Sequence, residues 1–136
     1  MSLAMDTNIL TPILGKLNIV HDDNRRTICE FNSNDFSVQS FRVKEKIPLG
    51  NHFHKRKSEI FIITKGGGTF AFSPVDEYGQ LPDKMKIVNV EPGAVIFVPV
   101  LVAHAFLLHS GSEMVCFSSA RYDKNDEDVF PCKLME

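Results

Sequence analysis

Three histidines and one glutamate, His52, His54, Glu59 and His104, together offer the donor set of a divalent transition-metal site. Imidazole nitrogens suit Fe, Ni, Cu and Zn, and a single carboxylate offsets part of the cation's charge. In a strand, side chains two apart share a face, so His52-Phe53-His54 sends both imidazoles one way and the phenyl ring the other. Glu59 opens the apolar run 60–63, and a short turn through Lys55, Arg56 and Lys57 can return it alongside the two histidines. His104 lies between Ala103 and Ala105 in a later apolar segment, where a buried imidazole needs a partner. His21 and His109 lack such company and read as isolated surface or core histidines.

Lys55-Arg56-Lys57 sets three cations directly after the paired histidines. As scaffold this is a solvated turn, because long side chains reach water from it. As function it is a phosphate clamp at the mouth of the pocket, which makes Lys55, Arg56 and Lys57 the candidate substrate-binding residues. Gly66-Gly67-Gly68 reads as a tight turn, since a phosphate-binding loop would need a following Lys-Ser or Lys-Thr and a helix. Cys116 reads as a small buried hydrophobe, no serine stands in a triad context, and no catalytic residue is singled out.

Strands must position these groups. Alternating apolar and polar residues, rich in β-branched and aromatic types, predict strands over 27–31, 36–43, 59–65, 68–72, 84–90, 94–98, 103–109 and 114–118. Gly, Pro, Asn, Asp and Ser clusters at 32–35, 48–51, 66–68, 82–83, 91–93 and 110–112 separate or bound them. No segment carries the pattern of a three-turn helix. Short strands with regularly spaced turns predict an all-β fold, a double-sheet jelly roll that limits exposed edges. Phe61, Phe70, Phe72, Phe97, Phe106 and Phe117 are expected mainly in the core. The stretch 73–83 reads as the longest loop, and the acidic segment 123–128 as exposed surface.

A length of 136 residues suits one domain, 1–136, and 43% hydrophobic with 24% charged residues excludes a disordered chain. Fifteen Lys and Arg against seventeen Asp and Glu give a net charge of -2, without the basic bias of a nucleic-acid binder. The longest apolar stretch, 94–108, contains Pro99 and His104 and falls short of the ~20 residues that cross a bilayer, so no membrane partner is expected. Cys29, Cys116 and Cys132 form no CxxC pair and suggest neither a disulfide framework nor a thiolate zinc site. Residues 1–4 read as an expression scar with no secretory pattern behind them, so the expected compartment is the cytoplasm. The expected partners are a small-molecule ligand and a second copy of the chain, a homodimer in which N-terminal strands cover a sheet edge.

His52-Phe53-His54, four residues, Glu59, six residues and Gly66 resemble the first motif of the cupin superfamily. Gly93, five residues, Pro99 and then His104 resemble the second, so the likeness spans about 44–119. It implies a double-stranded β-helix, the jelly-roll cupin barrel, in which His52, His54, Glu59 and His104 hold one divalent metal per chain: Fe, Mn, Ni, Zn or Cu. Lys46 stands where the first motif usually begins with Gly, Leu101 replaces a Gly between Pro99 and His104, and Leu108 replaces a frequent Asn. The segment 50–55 running into Glu59-Ile60-Phe61, with the late Asp123-Lys124-Asn125-Asp126, is similar to small cupin domains of polysaccharide and deoxy-sugar biosynthesis.

The function this implies is a metal-dependent enzyme on a small polar metabolite, carbohydrate-derived, of the isomerase or epimerase type. An Fe(II)-dependent dioxygenase and a noncatalytic sugar-binding module are the alternatives. Sugar-nucleotide epimerases and ketoisomerases use related barrels, often with a catalytic His and no metal, so a complete ligand set argues against transferring their mechanism unchanged. A purely structural barrel would leave three imidazoles and a carboxylate to satisfy at high cost.

Overall fold

The computed structural model describes residues 2–3, 12–81, 85–120, 125 and 127–136. Residues 1 and 4 of the expected scar, the turn at 82–83 and residues 123, 124 and 126 of the acidic segment lie outside them. Strands follow in chain order as β1 (Ser2–Leu3), β2 (Asn18–Asp22), β3 (Arg26–Ser33), β4 (Ser37–Val43), β5 (Leu49–Phe53), β6 (Glu59–Lys65), β7 (Gly68–Pro74), β8 (Lys86–Val90), β9 (Val95–Val98), β10 (Val102–Leu108), β11 (Glu113–Ser118) and β12 (Phe130–Pro131). The described residues contain no helix. None is therefore long and apolar enough to cross a membrane.

Two sheets form, one ordered β1-β3-β4-β11-β6-β9 with β2 also on β3, the other β12-β5-β10-β7-β8. Every pairing is antiparallel except β1 with β3. This is the expected all-β jelly roll. The period of two sets which side chains enter it: Glu59, Phe61 and Ile63 of β6 are buried while Ile60 faces out. On β11, Met114, Cys116 and Ser118 are buried. From the second sheet, Phe70, Phe106 and Leu108 join Phe61, Ile63 and Met114 in the main core. A smaller apolar cluster, Phe53, Val75 and Ala103 with partly buried Phe130 and Leu134, covers other side chains of β5 and β10.

The predicted β6 matches residue for residue. Its bounding turn places Gly66 and Gly67 at φ of 77° and 132°, where glycine meets no Cβ penalty. The cluster 48–51 is not a simple turn, because residues 49–51 belong to β5. Gly50 and Asn51 take φ of 97° and 56° inside the strand, so turn-forming residue types here make a bulge. β2 and β12 were not expected either. Phe97 and Phe117 correct the core assignment: they are 61% and 42% exposed, on the outer face, in register with Ile60 between them.

Candidate metal centre

His104 sits in the middle of β10 with His52 of β5 and Phe72 of β7 as its backbone neighbours. The register between β5 and β10 slips at this point: Leu49 faces Phe106 and Gly50 faces Ala105, and Asn51 is the extra residue before His52 meets His104. The bulge thus aims His52 into the barrel even though Leu49, three residues before it, is buried there too. Gly50 is required, since a Cβ on it would lie 2.9 Å from the His104 carbonyl oxygen. His54 follows directly after β5, and its carbonyl oxygen accepts a 2.7 Å hydrogen bond from the Leu101 N–H. Leu101, standing where the cupin motif has Gly, takes the left-handed φ of 61°. That costs on the order of 1–3 kcal/mol, which the bonds to His54 and from the Val75 N–H help to offset. Glu59 enters from the facing sheet as the first residue of β6, between Val98 of β9 and Ser118 of β11.

One ligand-type atom from each of the four side chains lies within 4.8 Å of the others. His54, Glu59 and His104 are buried and His52 is partly so. Glu59 Oε1 is 2.8 Å from His54 Nε2 and 3.4 Å from His104 Nε2. The far nitrogen of each ring is already committed: His54 Nδ1 donates to the Asp128 carbonyl oxygen and His104 Nδ1 to that of Val102, at 3.0 Å. In the neutral rings both Nε2 atoms therefore present lone pairs to a carboxylate oxygen. Those three atoms are buried without a hydrogen-bond partner, so the short contacts need a positive charge among them, a proton or a metal ion. The donor set fits a divalent transition metal, and the two carbonyls are the kind of partner that fixes a ligating imidazole's tautomer.

Glu59 is oriented from behind. The Cys116 thiol and the Ser118 hydroxyl each donate to its Oε2 at 3.3 Å, which leaves Oε1 facing the rings. Burial, followed by the adjacent Glu59 charge, pushes the Cys116 thiol well above its ordinary range, so it stays protonated and able to donate. Burial pushes the Glu59 carboxyl up, but the facing His104 and His54 rings pull it further down, and it is ionised. Burial and the neighbouring His104 and His54 push His52 down to about 3, so its ring is neutral and available as a ligand near neutral pH. A cavity of about 190 Å³ opens over the cluster, with Leu49, Phe61, Phe106 and Met114 as apolar wall and Gln39 and Lys57 as polar groups.

The three cations after His54 do not share one environment. Their backbone N–H groups all donate to the Asp128 carboxylate, at 2.8, 2.7 and 3.0 Å for Lys55, Arg56 and Lys57. Lys55 places Nζ 4.3 Å from the Phe130 ring centroid, and Lys57 lines the cavity. Asp128 corrects the expectation of an exposed acidic segment: it is buried, because its carboxylate gathers the turn's amides. His21 pairs with Asp23 at the surface, away from the four-residue cluster.

A family model for the polysaccharide biosynthesis C-terminal domain matches residues 21–130. The chain belongs to that family. Among solved structures, the capsular polysaccharide assembling protein CapF from Staphylococcus aureus superposes with a TM-score of 0.73 at 22% identity, over 96% of this chain and 34% of CapF. KdgF from Halomonas sp. gives 0.57 at 16% identity, over 82% of this chain and 94% of KdgF. A variant oxalate decarboxylase from Bacillus subtilis gives 0.63 at 16%, over 93% of this chain and 34% of the enzyme. These likenesses show the cupin fold. The chain spans about a third of the length of the CapF structures it matches. Comparison with curated proteins finds no match.

In this polysaccharide biosynthesis domain, Cys116, Ser118, Gln39 and Asp128 are the site neighbours that residue spacing did not reveal. Cys116 and Ser118 share a face by alternation, but only the register of β11 on β6 brings them to Glu59. Asp128 lies more than seventy residues from the turn it gathers, and nothing local marks it.

Proposed function

We propose that this domain is a metal-dependent enzyme of the isomerase or epimerase type, acting on a carbohydrate-derived substrate, with His52, His54, Glu59 and His104 as ligands of one divalent metal. The observation that carries this reading is the convergence of unpartnered lone pairs from His54, His104 and Glu59 at the base of a cavity that also holds Lys57. A divalent metal there supplies Lewis acidity for a substrate carbonyl or hydroxyl oxygen. The apolar wall of Leu49, Phe61, Phe106 and Met114 excludes water, which strengthens each electrostatic contact inside. Lys57 is the one titratable side chain outside the ligand set among the described residues lining the cavity, so it either holds an anionic group or moves a proton. Lys55 and Arg56 belong to the proposal only as cations at the outer turn, able to meet a phosphate. CapF has been crystallised with the inhibitor 3-isopropenyl-tropolone. A tropolone carries an adjacent oxygen pair suited to chelating a metal, which supports oxygen-chelating ligands for this domain too.

Calorimetric titration of metal-loaded protein with nucleotide sugars and sugar phosphates tests the reading, followed by NMR detection of solvent deuterium entering the bound sugar. Binding that weakens with salt and on Lys57→Ala, with deuterium uptake, is the expected result. Binding without deuterium uptake would favour the noncatalytic module, and no binding by any such compound would reject the carbohydrate preference.

We also propose a homodimer. The support is β2, which among the described residues pairs only with β3 and leaves Ile19 and Val20 more than half exposed at a sheet edge. Light scattering is expected to give twice the chain mass at micromolar concentration, and a monomer at high concentration would remove the dimer.

A further inference from the structure

The segment 127–136 is built onto the ligand strand by contacts of four kinds. Its β12 pairs with β5, placing Phe130 opposite Phe53 and Pro131 opposite His52, and the two phenyl rings stack with centroids 5.3 Å apart. Asn51, the bulge residue, accepts the Leu134 and Met135 N–H groups on Oδ1 at 2.9 and 3.0 Å and donates from Nδ2 to the Met135 carbonyl at 3.0 Å. The Asp128 carboxylate takes the amides of Lys55, Arg56 and Lys57, and the Asp128 carbonyl oxygen receives His54 Nδ1. One residue therefore holds both the turn that follows His54 and the ring of His54 itself.

Resting on the metal reading above, we propose that Asp128 is a positioning residue for the metal centre: by anchoring on the turn 55–57 it fixes its own carbonyl oxygen beside His54 Nδ1, and so keeps the proton on that nitrogen and the Nε2 lone pair aimed at the metal. Free imidazole in water distributes its proton between both nitrogens, so a locked tautomer is a pre-organisation that the bare ring lacks. His104 is locked differently, by the Val102 carbonyl of its own strand, and does not depend on Asp128. This difference supplies an internal reference. A loss of fold would disturb both rings, whereas loss of the Asp128 anchor disturbs His54 alone.

The experiment compares the full chain with its Asp128→Ala and Asp128→Asn variants. In metal-free protein, long-range proton–nitrogen correlation spectra of the imidazoles read the tautomers. His54 and His104 should both carry a proton on Nδ1 in the unaltered chain, besides the proton that the Nε2 atoms share with Glu59, and Asp128→Ala should shift His54 toward the mixed state while His104 stays unchanged. Cobalt(II) or zinc(II) affinity, measured by chelator competition, should fall roughly 10- to 100-fold in Asp128→Ala, the range for losing a partner of a ligating histidine. Asp128→Asn keeps one amide-accepting oxygen and should recover part of the affinity, a rescue that mere bulk at this position would not give. An unchanged His54 tautomer, or affinity within about twofold of the unaltered chain in Asp128→Ala, overturns the role of Asp128. If the unaltered chain takes up neither metal, the metal reading fails on its own, and the tautomer spectra still decide whether Asp128 sets the His54 ring.

Discussion

His104→Ala should leave the chain unable to hold the proposed metal. Protein reconstituted with zinc(II), then freed of excess ion, should carry close to one metal per chain by elemental analysis, and the variant close to none. A four-ligand zinc site is worth about 10–16 kcal/mol near neutral pH, so an even share per ligand is roughly 3 kcal/mol, more than about 100-fold in affinity. His104 should cost at least that share, because it comes from the centre of β10 with strands on both sides, and no other described side chain of the cluster can replace its nitrogen. His52→Ala should cost less, since His52 is the partly exposed member and water can enter the position it vacates. His21→Ala should leave occupancy unchanged, because that ring is held by Asp23 at the surface. Equal metal content in His104→Ala and the unaltered chain would dispose of the site.

The four-residue cluster was legible because strand patterning and turn chemistry agree around β6 and β10. Glu59 falls on the buried face of β6 that a period of two assigns it, whereas His104 lies in the run 103–106 of β10, buried on both faces, and was marked by its apolar neighbours. What alternation cannot carry is register. A strand was read at His52-Phe53-His54, but the start of β5 was hidden because Gly50 and Asn51, residue types of turns, sit inside it at positive φ, and the bulge they make is what sets His52 across from His104. Phe97 and Phe117 were misassigned for a related reason: an aromatic ring in a strand fits either face, and these two lie on the outer one with Ile60. Cys116 was placed correctly in the interior, yet its thiol does more than fill space, because Glu59 lies in hydrogen-bond reach. The long-range partners of the site, Ser118 and Asp128 among them, follow from which strands adjoin, which no local pattern states.

Glu59→Gln should reverse the order of stability between metal-free and metal-loaded protein. Without metal, Glu59 Oε1 and the Nε2 atoms of His54 and His104 must hold a proton among them, so the site buries an ion pair whose carboxylate has two further modest donors, Cys116 and Ser118. The glutamine side chain has the same shape and no charge. Its carbonyl oxygen can accept from Cys116 and Ser118 while its NH₂ group donates to the two Nε2 atoms, so every group in the cluster gains a partner and no charge is buried. The metal-free variant should therefore melt at the same temperature as the unaltered chain or higher. Metal changes the order, because binding the folded state alone adds roughly 4 kcal/mol at a thousandfold excess over Kd. For a chain of this size that is about 10–20 °C in the melting midpoint, and the variant, lacking the only anionic ligand, should show almost none of it. Thermal denaturation with and without zinc(II) reads both halves. A metal-free variant several degrees less stable than the unaltered chain would mean that Glu59 is already well paired without metal, with a proton held firmly against His54, and a full metal-induced shift in the variant would mean that the carboxylate is no ligand at all.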